Sequence, residues 1–566
     1  MGRYARFDRL LIFVAASLPP AVVLVLLAVT FWTSLVTGTP RLGAALTLQN
    51  YAAVYGDPFT YGALLNTVWF AGLTACVAMA FGVPIAWLAE RTDLPAKPLL
   101  FAAMVIGLVM PTFLVGMGWV LMLHPRIGFL NIWLRELSGA SQITVNIASI
   151  PGMGFVEGLS LAPLGFIMTA AAFRAMNPML EDAAQVHGLG RVAIFRRVTL
   201  PLAAPALVAA AIYIFIIGVG AFDVPAVIGL ANRIYTFSTL IYVKAMNPDN
   251  GVIDYGIPAA VGALMLALAV VLTVWYGRYL RASSRYQQIS GRGYQPRLIA
   301  LGRWRFGAWG FCAFYLALSI GLPLLLVTWA SLLPFLQPPS IRALKLLSLA
   351  QFRNQDWELI ARGARNTAAL MLLVPTVTVF LAVPIAWVIV RSRSRARFLY
   401  EFLVFLPQAM PAMIFGLAAL LAALFVLKGV VPLYGTIWLI AIVYIVERMT
   451  FCSRVMNNAL LQIHHELDEA AYTGGLSLLD VLRRIIVPLM LPSILGVWLW
   501  SALISFRELT IAAVLFGRES VTLPVVVWNL WTAGGMGRSG AVTLIMLGFM
   551  LPLVLFYWAV AGRRYL

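Results

Sequence analysis

The sequence predicts an all-α integral membrane fold of about twelve transmembrane helices, in two tandem six-helix halves with parallel pseudo-twofold symmetry. Three observations predict it. Of 566 residues, 62% are hydrophobic and 11% charged, whereas a soluble domain carries about 25% charged residues; the bilayer is the solvent that suits such a chain. The apolar residues gather into stretches that can each cross a hydrocarbon core, for which about 20 residues suffice. Several short strings also recur at fixed offsets, six stretches apart, the mark of a parallel duplication.

The first apolar stretch, 10–36, follows Arg3, Arg6 and Arg9. That resembles a secretory signal, but the run is long for a signal core and further spans follow, so it reads as a retained first helix. The others fall at 62–89, 99–123, 158–176, 202–222, 257–280, 307–332, 366–390, 400–427, 433–451, 489–512 and 541–561. Arginine sets the orientation, because cytoplasmic loops are rich in basic residues. Arg278 to Arg305 holds seven arginines and no acid, Arg391, Arg393, Arg395 and Arg397 form a second run, and Arg563 and Arg564 stand near the chain's end. A cytoplasmic N-terminus and twelve alternating spans put all of these, and the C-terminus, inside. Asp223 to Asp254 and Arg353 to Glu358, of mixed charge, then fall outside.

The net charge of +19 is spread in short runs between apolar stretches, which is membrane topology and not a basic nucleic-acid-binding face. Cys76, Cys312 and Cys452 are far apart and apolar in setting, giving neither a disulfide framework nor a zinc spacing. His124, His187, His464 and His465 form no H-E-x-x-H pattern, and no metal site is assigned.

Val83-Pro84-Ile85-Ala86-Trp87 returns as Val383-Pro384-Ile385-Ala386-Trp387, Asn66-Thr67 as Asn366-Thr367, Met110-Pro111 as Met410-Pro411 and Gly116 as Gly416, all at an offset of 300. Farther along the offset is 287, so the first half carries 300 − 287 = 13 extra residues, expected between His124 and Glu157. The halves are 1–290 and 291–566, joined by the basic linker around 281–304 and holding matched loops at 181–201 and 468–488.

In the first loop Asp182-Ala183-Ala184 is followed, after three residues, by Gly188 and, after nine more, by Val198-Thr199-Leu200-Pro201. In the second, Glu469-Ala470-Ala471, Gly475 and Ile485-Ile486-Val487-Pro488 keep the same spacing; Arg196-Arg197 matches Arg483-Arg484, and Pro205 matches Pro492. The acid suits the N-terminus of a short helix, the alanines give it a thin packing face, and the glycine permits the left-handed turn that stops it. A second short helix follows, with Ser477 and Asp480 placed as a capping box. Proline then opens the next span, where its missing N–H does no harm. Such a helix-turn-helix at the cytoplasmic surface suits docking into a groove on a soluble partner.

The pattern resembles the coupling-helix signature of type I ABC importer permeases, E-A-A-x3-G-x9-I-x-L-P. It departs at Asp182 and Val198 in the first copy and at Val487 in the second. The resemblance covers roughly 60–280 and 360–560 of this chain. It implies two cytoplasmic ABC ATPase subunits on the two loops, an extracytoplasmic substrate-binding protein, and a home in the bacterial inner membrane. ATP-Mg would sit on the ATPases: this chain has no G-x-x-x-x-G-K-[ST] loop, and none of Lys97, Lys244, Lys345 and Lys428 fits one. No cofactor and no catalytic residue is expected in the chain itself.

Asp223, in Phe222-Asp223-Val224-Pro225, and Arg507 and Glu508, in Phe506-Arg507-Glu508-Leu509, stand at the far ends of the helices that follow the loops. Charges there are costly and tend to face a pathway or a partner. Asp223 and Glu508 are read as equivalents separated by a two-residue gap, and carboxylates suit a hard cation such as Fe³⁺; equally, Glu508 can pair with Arg507 or another charge at the outer rim. The fused halves and the Phe-Arg-Glu-Leu string resemble permeases of the ferric-iron group, whose relatives handle thiamine and 2-aminoethylphosphonate. Ferric iron is the expected cargo, with such an organic solute the alternative. An ion-coupled secondary transporter also has two related halves, but it needs acids near the midplane, and the acids here are expected in the cytoplasmic loops and at the outer ends.

Overall fold

The computed structural model describes residues 2–38, 40, 44–139, 144–177, 179–246, 254–283, 298–392 and 394–561. These residues are helical with short connections, and among them the only β-pairing is an isolated bridge from Thr92 to Ile299. Arg563, Arg564, Arg393 and most of the basic linker, used above for orientation, lie outside the described residues.

The long helix of each half starts on the same device. Asp57 accepts from the Phe59 N–H (2.9 Å) ahead of Pro58–Arg91, and Asp356 from the Leu359 N–H (3.0 Å) ahead of Trp357–Val390. Lys97–Val109 and Arg397–Ala409 are 300 apart at both ends, and Leu200–Gly220 and Val487–Arg507 are 287 apart at both ends. The extra residues of the first half lie between Leu123 and Ile150, as expected, and include the helix Phe129–Ser138. Asn131 pins this insertion: its side-chain amide donates to the Leu123, His124 and Val145 carbonyls, and its oxygen accepts from the Val145 N–H.

Among the described residues eight helices are long and apolar enough to cross a membrane, and three bent pairs raise the total to eleven, close to the number expected but not all of them straight. The stretch 99–123 is broken by 90° between Val109 and Thr112, and 400–427 by 101° at the matching Met410-Pro411. Proline removes the N–H that would continue the ladder, so the helix ends and restarts. Within the segment expected outside, residues 223–246 form a bent apolar pair, Pro225–Asn232 and Phe237–Met246; Val224, Ala226, Ile228, Phe237 and Ile241 are buried in it. Its apolar runs are simply too short to register as a span.

Each half's first helix packs on the other half. Gly2–Ser34 lies against Trp357–Val390 and Arg397–Ala409, and in the latter Tyr400 OH meets Ser17 Oγ at 2.6 Å and its ring meets Phe13 edge to face at 6.2 Å. Trp304–Leu316 and Leu322–Ser331 lie on the first half, where Tyr315 OH donates to the Leu159 carbonyl (2.9 Å) and Phe311 stacks on Phe81. At this seam a Cβ on Gly118 would overlap the Pro323 Cα. Gly118→Ala should therefore push the backbones of the two helices apart and cost about 1–3 kcal/mol, seen as a lower thermal midpoint of the detergent-solubilised protein. Gly72→Ala, where no heavy atom lies within 4 Å, should leave the midpoint in place.

Candidate functional site: paired loops and a buried charge network

The two predicted loops form as matched helix-turn-helix units. The first helices are Met179–Val186 and His465–Thr473, so Asp182 and Glu469 do not open them; each helix begins three or four residues earlier. Glu469 instead pairs with His465 (3.1 Å) one turn back. Ala184 and Ala471 are buried while Ala183 and Ala470 face outward, so only one alanine of each pair packs. Gly188 (φ +81°) and Gly475 (φ +83°) take the left-handed turn, closed by Leu189 N–H to Ala184 O and Leu476 N–H to Ala471 O, both 3.1 Å. Ser477 accepts from the Asp480 N–H at 3.2 Å, as the capping box requires.

The expected second helix is not separate from the span. Arg191–Ile194 continues through one wide π-turn, Phe195–Thr199, into Leu200–Gly220; Leu478–Val481 does so through Leu482–Ile486 into Val487–Arg507. A wide turn absorbs the bond that Pro201 and Pro488 cannot make. Arg196, Arg197, Arg483 and Arg484 sit exposed on these turns, Arg484 reaching Asp480 at 3.2 Å. Pro201 and Pro488 are exposed in the first turn of the helices they open.

Sequence reasoning missed the acid just before each motif. Glu181 pairs with Arg91, and Asp468 pairs with Arg391 at 2.9 Å. Burial pushes the Asp468 carboxyl above its usual range, with Arg391 pulling the other way. The signal was present: Arg91 and Arg391 differ by 300, Glu181 and Asp468 by 287.

Asp223, Arg507 and Glu508 do not sit at an outer rim. They belong to one half-buried network between the halves. Asp223 accepts from Thr112 (2.6 Å) and from Thr510 (3.2 Å). Arg507 donates to the carbonyl of Met110 at 2.8 Å, at the first helix break. Glu508 pairs with Arg448 (3.1 Å), not with Arg507, and Arg448 also pairs with Glu447 (2.6 Å). Tyr444 OH donates to the Glu508 carbonyl at 3.1 Å. Glu157 is buried nearby, with one carboxylate oxygen unpartnered.

Two expectations change here. Asp223 and Glu508 are not equivalents, for the helices before them keep register without a gap: Glu508 matches Ala221, and Asp223 matches Thr510, the residue it bonds. Asp223 thus lies where the repeat meets itself. Nor are the acids confined to loops and outer ends. Glu447 and Arg448 occur in mid-helix in Ile437–Leu461, about 15 Å from its start at 1.5 Å per residue. A charge at that depth costs roughly 3 kcal/mol on insertion scales, so opposite charges are paired there. The halves differ at this point: Ser160 and Leu161 stand where the second half has Glu447 and Arg448, and Gly220 where it has Arg507. Gly220 packs against Pro411 at the second break, a Cβ there falling 3.2 Å from Pro411 Cβ.

A duplicated loop-and-span unit closed on a half-buried polar junction defines a two-half membrane component of a transport system. The chain belongs to the family of binding-protein-dependent transport system inner membrane components, whose profile matches residues 82–286 and again 378–563. It is similar to the ferric transport system permease protein FbpB of Actinobacillus pleuropneumoniae, 23% identical over 541 residues, covering 92% of this chain and 74% of that protein. It is also similar to a probable ABC transporter permease protein, y4fN, of Sinorhizobium fredii, 24% identical and covering 98% of this chain and 97% of that one. Among solved structures, a bacterial ABC transporter involved in import of the polysaccharide alginate matches with a TM-score of 0.34 and 19% identity, over 42% of this chain and 84% of that chain. The chain is therefore a multi-pass ABC importer permease, the membrane subunit of its system and not the one that hydrolyses ATP.

Proposed function

We propose that the loops at 181–201 and 468–488 dock two cytoplasmic ABC ATPase subunits, that an extracytoplasmic binding protein delivers cargo to the opposite face, and that the cargo is iron(III). The observation that carries the docking is the state of the loop helices. They are solvated yet present apolar side chains: Met179 and Val186 are 72% and 86% exposed, Leu467 and Tyr472 46% and 43%. Each loop is also continuous with a span. Asp182, Gly188, Arg196 and Arg197, with Glu469, Gly475, Arg483 and Arg484, would line the two contacts. With the loops on the cytoplasmic side, the N-terminal helix starts there too, since Asp8 accepts from the Leu479 N–H (3.4 Å) of the second loop. Co-expression with the ATPase genes tests this: two ATPase copies should purify with one permease chain, and a chain that takes up solute alone on an ion gradient would overturn it.

Iron(III) as cargo is supported by the names of the relatives; the network has four acids, Glu157, Asp223, Glu447 and Glu508, against Arg448 and Arg507, and among the described residues no three of them gather into a metal-holding cluster, as suits a path that passes a cation on and does not store it. Hard carboxylate oxygens suit a hard cation. ATP-Mg would stay on the ATPases. Asp223→Ala and Glu508→Ala should reduce iron(III) uptake to background while the ATPases still co-purify. Normal uptake by both variants would remove these residues from the path.

A further inference from the structure

We propose that Arg91 and Arg391 are positioning residues that clamp each coupling loop to the long helix of its own half, so that movement of the loop is delivered to the half-buried network as well as to the following span. This rests on the reading that the loops dock the ATPases.

The chain alone connects each loop rigidly to one span, 192–220 or 478–507. The clamp adds a second connection. Arg91 closes the helix Pro58–Arg91, and its side chain is fully buried. It pairs with Glu181 of the loop helix and donates to the Met176 carbonyl. The other oxygen of Glu181 accepts from Thr199 at 2.6 Å, so one carboxylate joins the long helix, the loop and the next span. In the second half Arg391 pairs with Asp468 and donates to the Ile463 carbonyl at 2.7 Å. Met176 and Ile463 are 287 apart, as are Glu181 and Asp468. The same clamp is therefore built twice, with a shorter acid in the second copy and Ile486 in the place of Thr199.

Stability alone does not explain it. A buried ion pair is often matched or bettered by packed apolar residues, and the surroundings offer many. What an ion pair adds is a fixed direction between the groups it joins.

The far end of the same long helix holds the segment beside Asp223. Asn66 donates to the Tyr235 carbonyl (3.1 Å), and Thr67 accepts from the Phe237 N–H (2.9 Å). In the second half Asn366 donates to the Glu519 and Val521 carbonyls and Thr367 accepts from the Leu523 N–H (2.9 Å). Each long helix is thus fastened to a coupling loop at one end and to a distant segment of its own half at the other. The two fastenings are about 36 Å apart at 1.5 Å per residue. A rod held at both ends transmits what a single flexible joint would lose.

The test uses the complete permease–ATPase complex with its cognate binding protein in lipid nanodiscs. The readout is the fold-stimulation of ATP hydrolysis by the binding protein, beside ATPase retention on purification. In R391D and R91D, stimulation should fall to about 1.5-fold or less, a loss of the size expected when two sites uncouple, with the ATPases still bound. The reversed pair R391D/D468R should recover at least half of the wild-type stimulation. Should the single variants fail to fold, R391K and R91K serve instead, keeping charge but losing the forked contact, and they should show reduced stimulation. Wild-type stimulation in the single and lysine variants, or a folded R391D/D468R complex that retains its ATPases and shows no recovery, overturns the clamp. A wild-type chain that never retains ATPases overturns the docking reading beneath it.

Discussion

Gly188→Val and Gly475→Val are each expected to cut ATPase co-purification by about tenfold, the larger effect appearing when both are present. Both positions have φ near +80°, where a branched side chain is strained by about 1–3 kcal/mol. At Gly188 no heavy atom lies within 4 Å of an added Cβ, so the effect would be conformational and not a clash. Relief of the strain turns the second loop arm away from the first and misaligns the exposed apolar side chains on the loop helices. Gly→Ala at the same sites should show a smaller loss, since a methyl tolerates this region better than a branched chain. Membrane insertion should be unchanged, because the spans lie beyond the turn. Pull-down with tagged ATPase, normalised to permease in the membrane fraction, gives the measurement; equal recovery for wild type and both valine variants would refute it.

The second large effect is expected from a cross-link between the halves. Gly220 ends the helix that follows the first loop, and it packs on Pro411 at the break in the second half. The Cβ separation of 3.2 Å is slightly below the usual range for a disulfide, about 3.5–4.5 Å, and needs only a small adjustment. Gly220→Cys with Pro411→Cys, in a chain whose Cys76, Cys312 and Cys452 are replaced by alanine, should form a disulfide on mild oxidation. Transport should stop when it forms and return on reduction. ATP with vanadate should lower the cross-linking yield if the ATPases drive these halves apart. Full transport by the oxidised protein would show that this contact does not open.

The halves, the loops and the insertion were all legible in the sequence, because each leaves a local trace: an apolar run of sufficient length, a glycine at fixed spacing, a change of offset. The helix breaks were not. Met110-Pro111 sits inside an apolar run, and membrane helices tolerate proline, so the run reads as one span. What holds the break open is Arg507, 397 positions away, bonding the Met110 carbonyl. The half-buried network was only partly legible. Asp223, Arg507 and Glu508 stand out as charges beside apolar stretches, while Glu447-Arg448 near the end of the stretch 433–451 looks like a boundary and Glu157 looks like an external residue. Glu447 and Arg448 pair with each other, but what ties them to the network, Arg448 to Glu508, spans 60 positions, and no spacing rule reaches that far. The same limit hid the clamps, although their two offsets were visible once each half had been aligned separately.

The exchange of first helices has a consequence for biosynthesis. Gly2–Ser34 is made before its packing partners Trp357–Val390 and Tyr400, which leave the ribosome more than three hundred residues later. At about 5–20 residues per second, that helix waits on the order of tens of seconds in the lipid before the second-half side of its seat exists, held until then by Gly256–Ser283 of its own half. A newly made first half is therefore an open piece, with one face of its first helix uncovered and a vacant seam to fill. Joining both halves in one chain supplies the missing piece at high local concentration, and it leaves little time for a stray helix from another protein to take the seam.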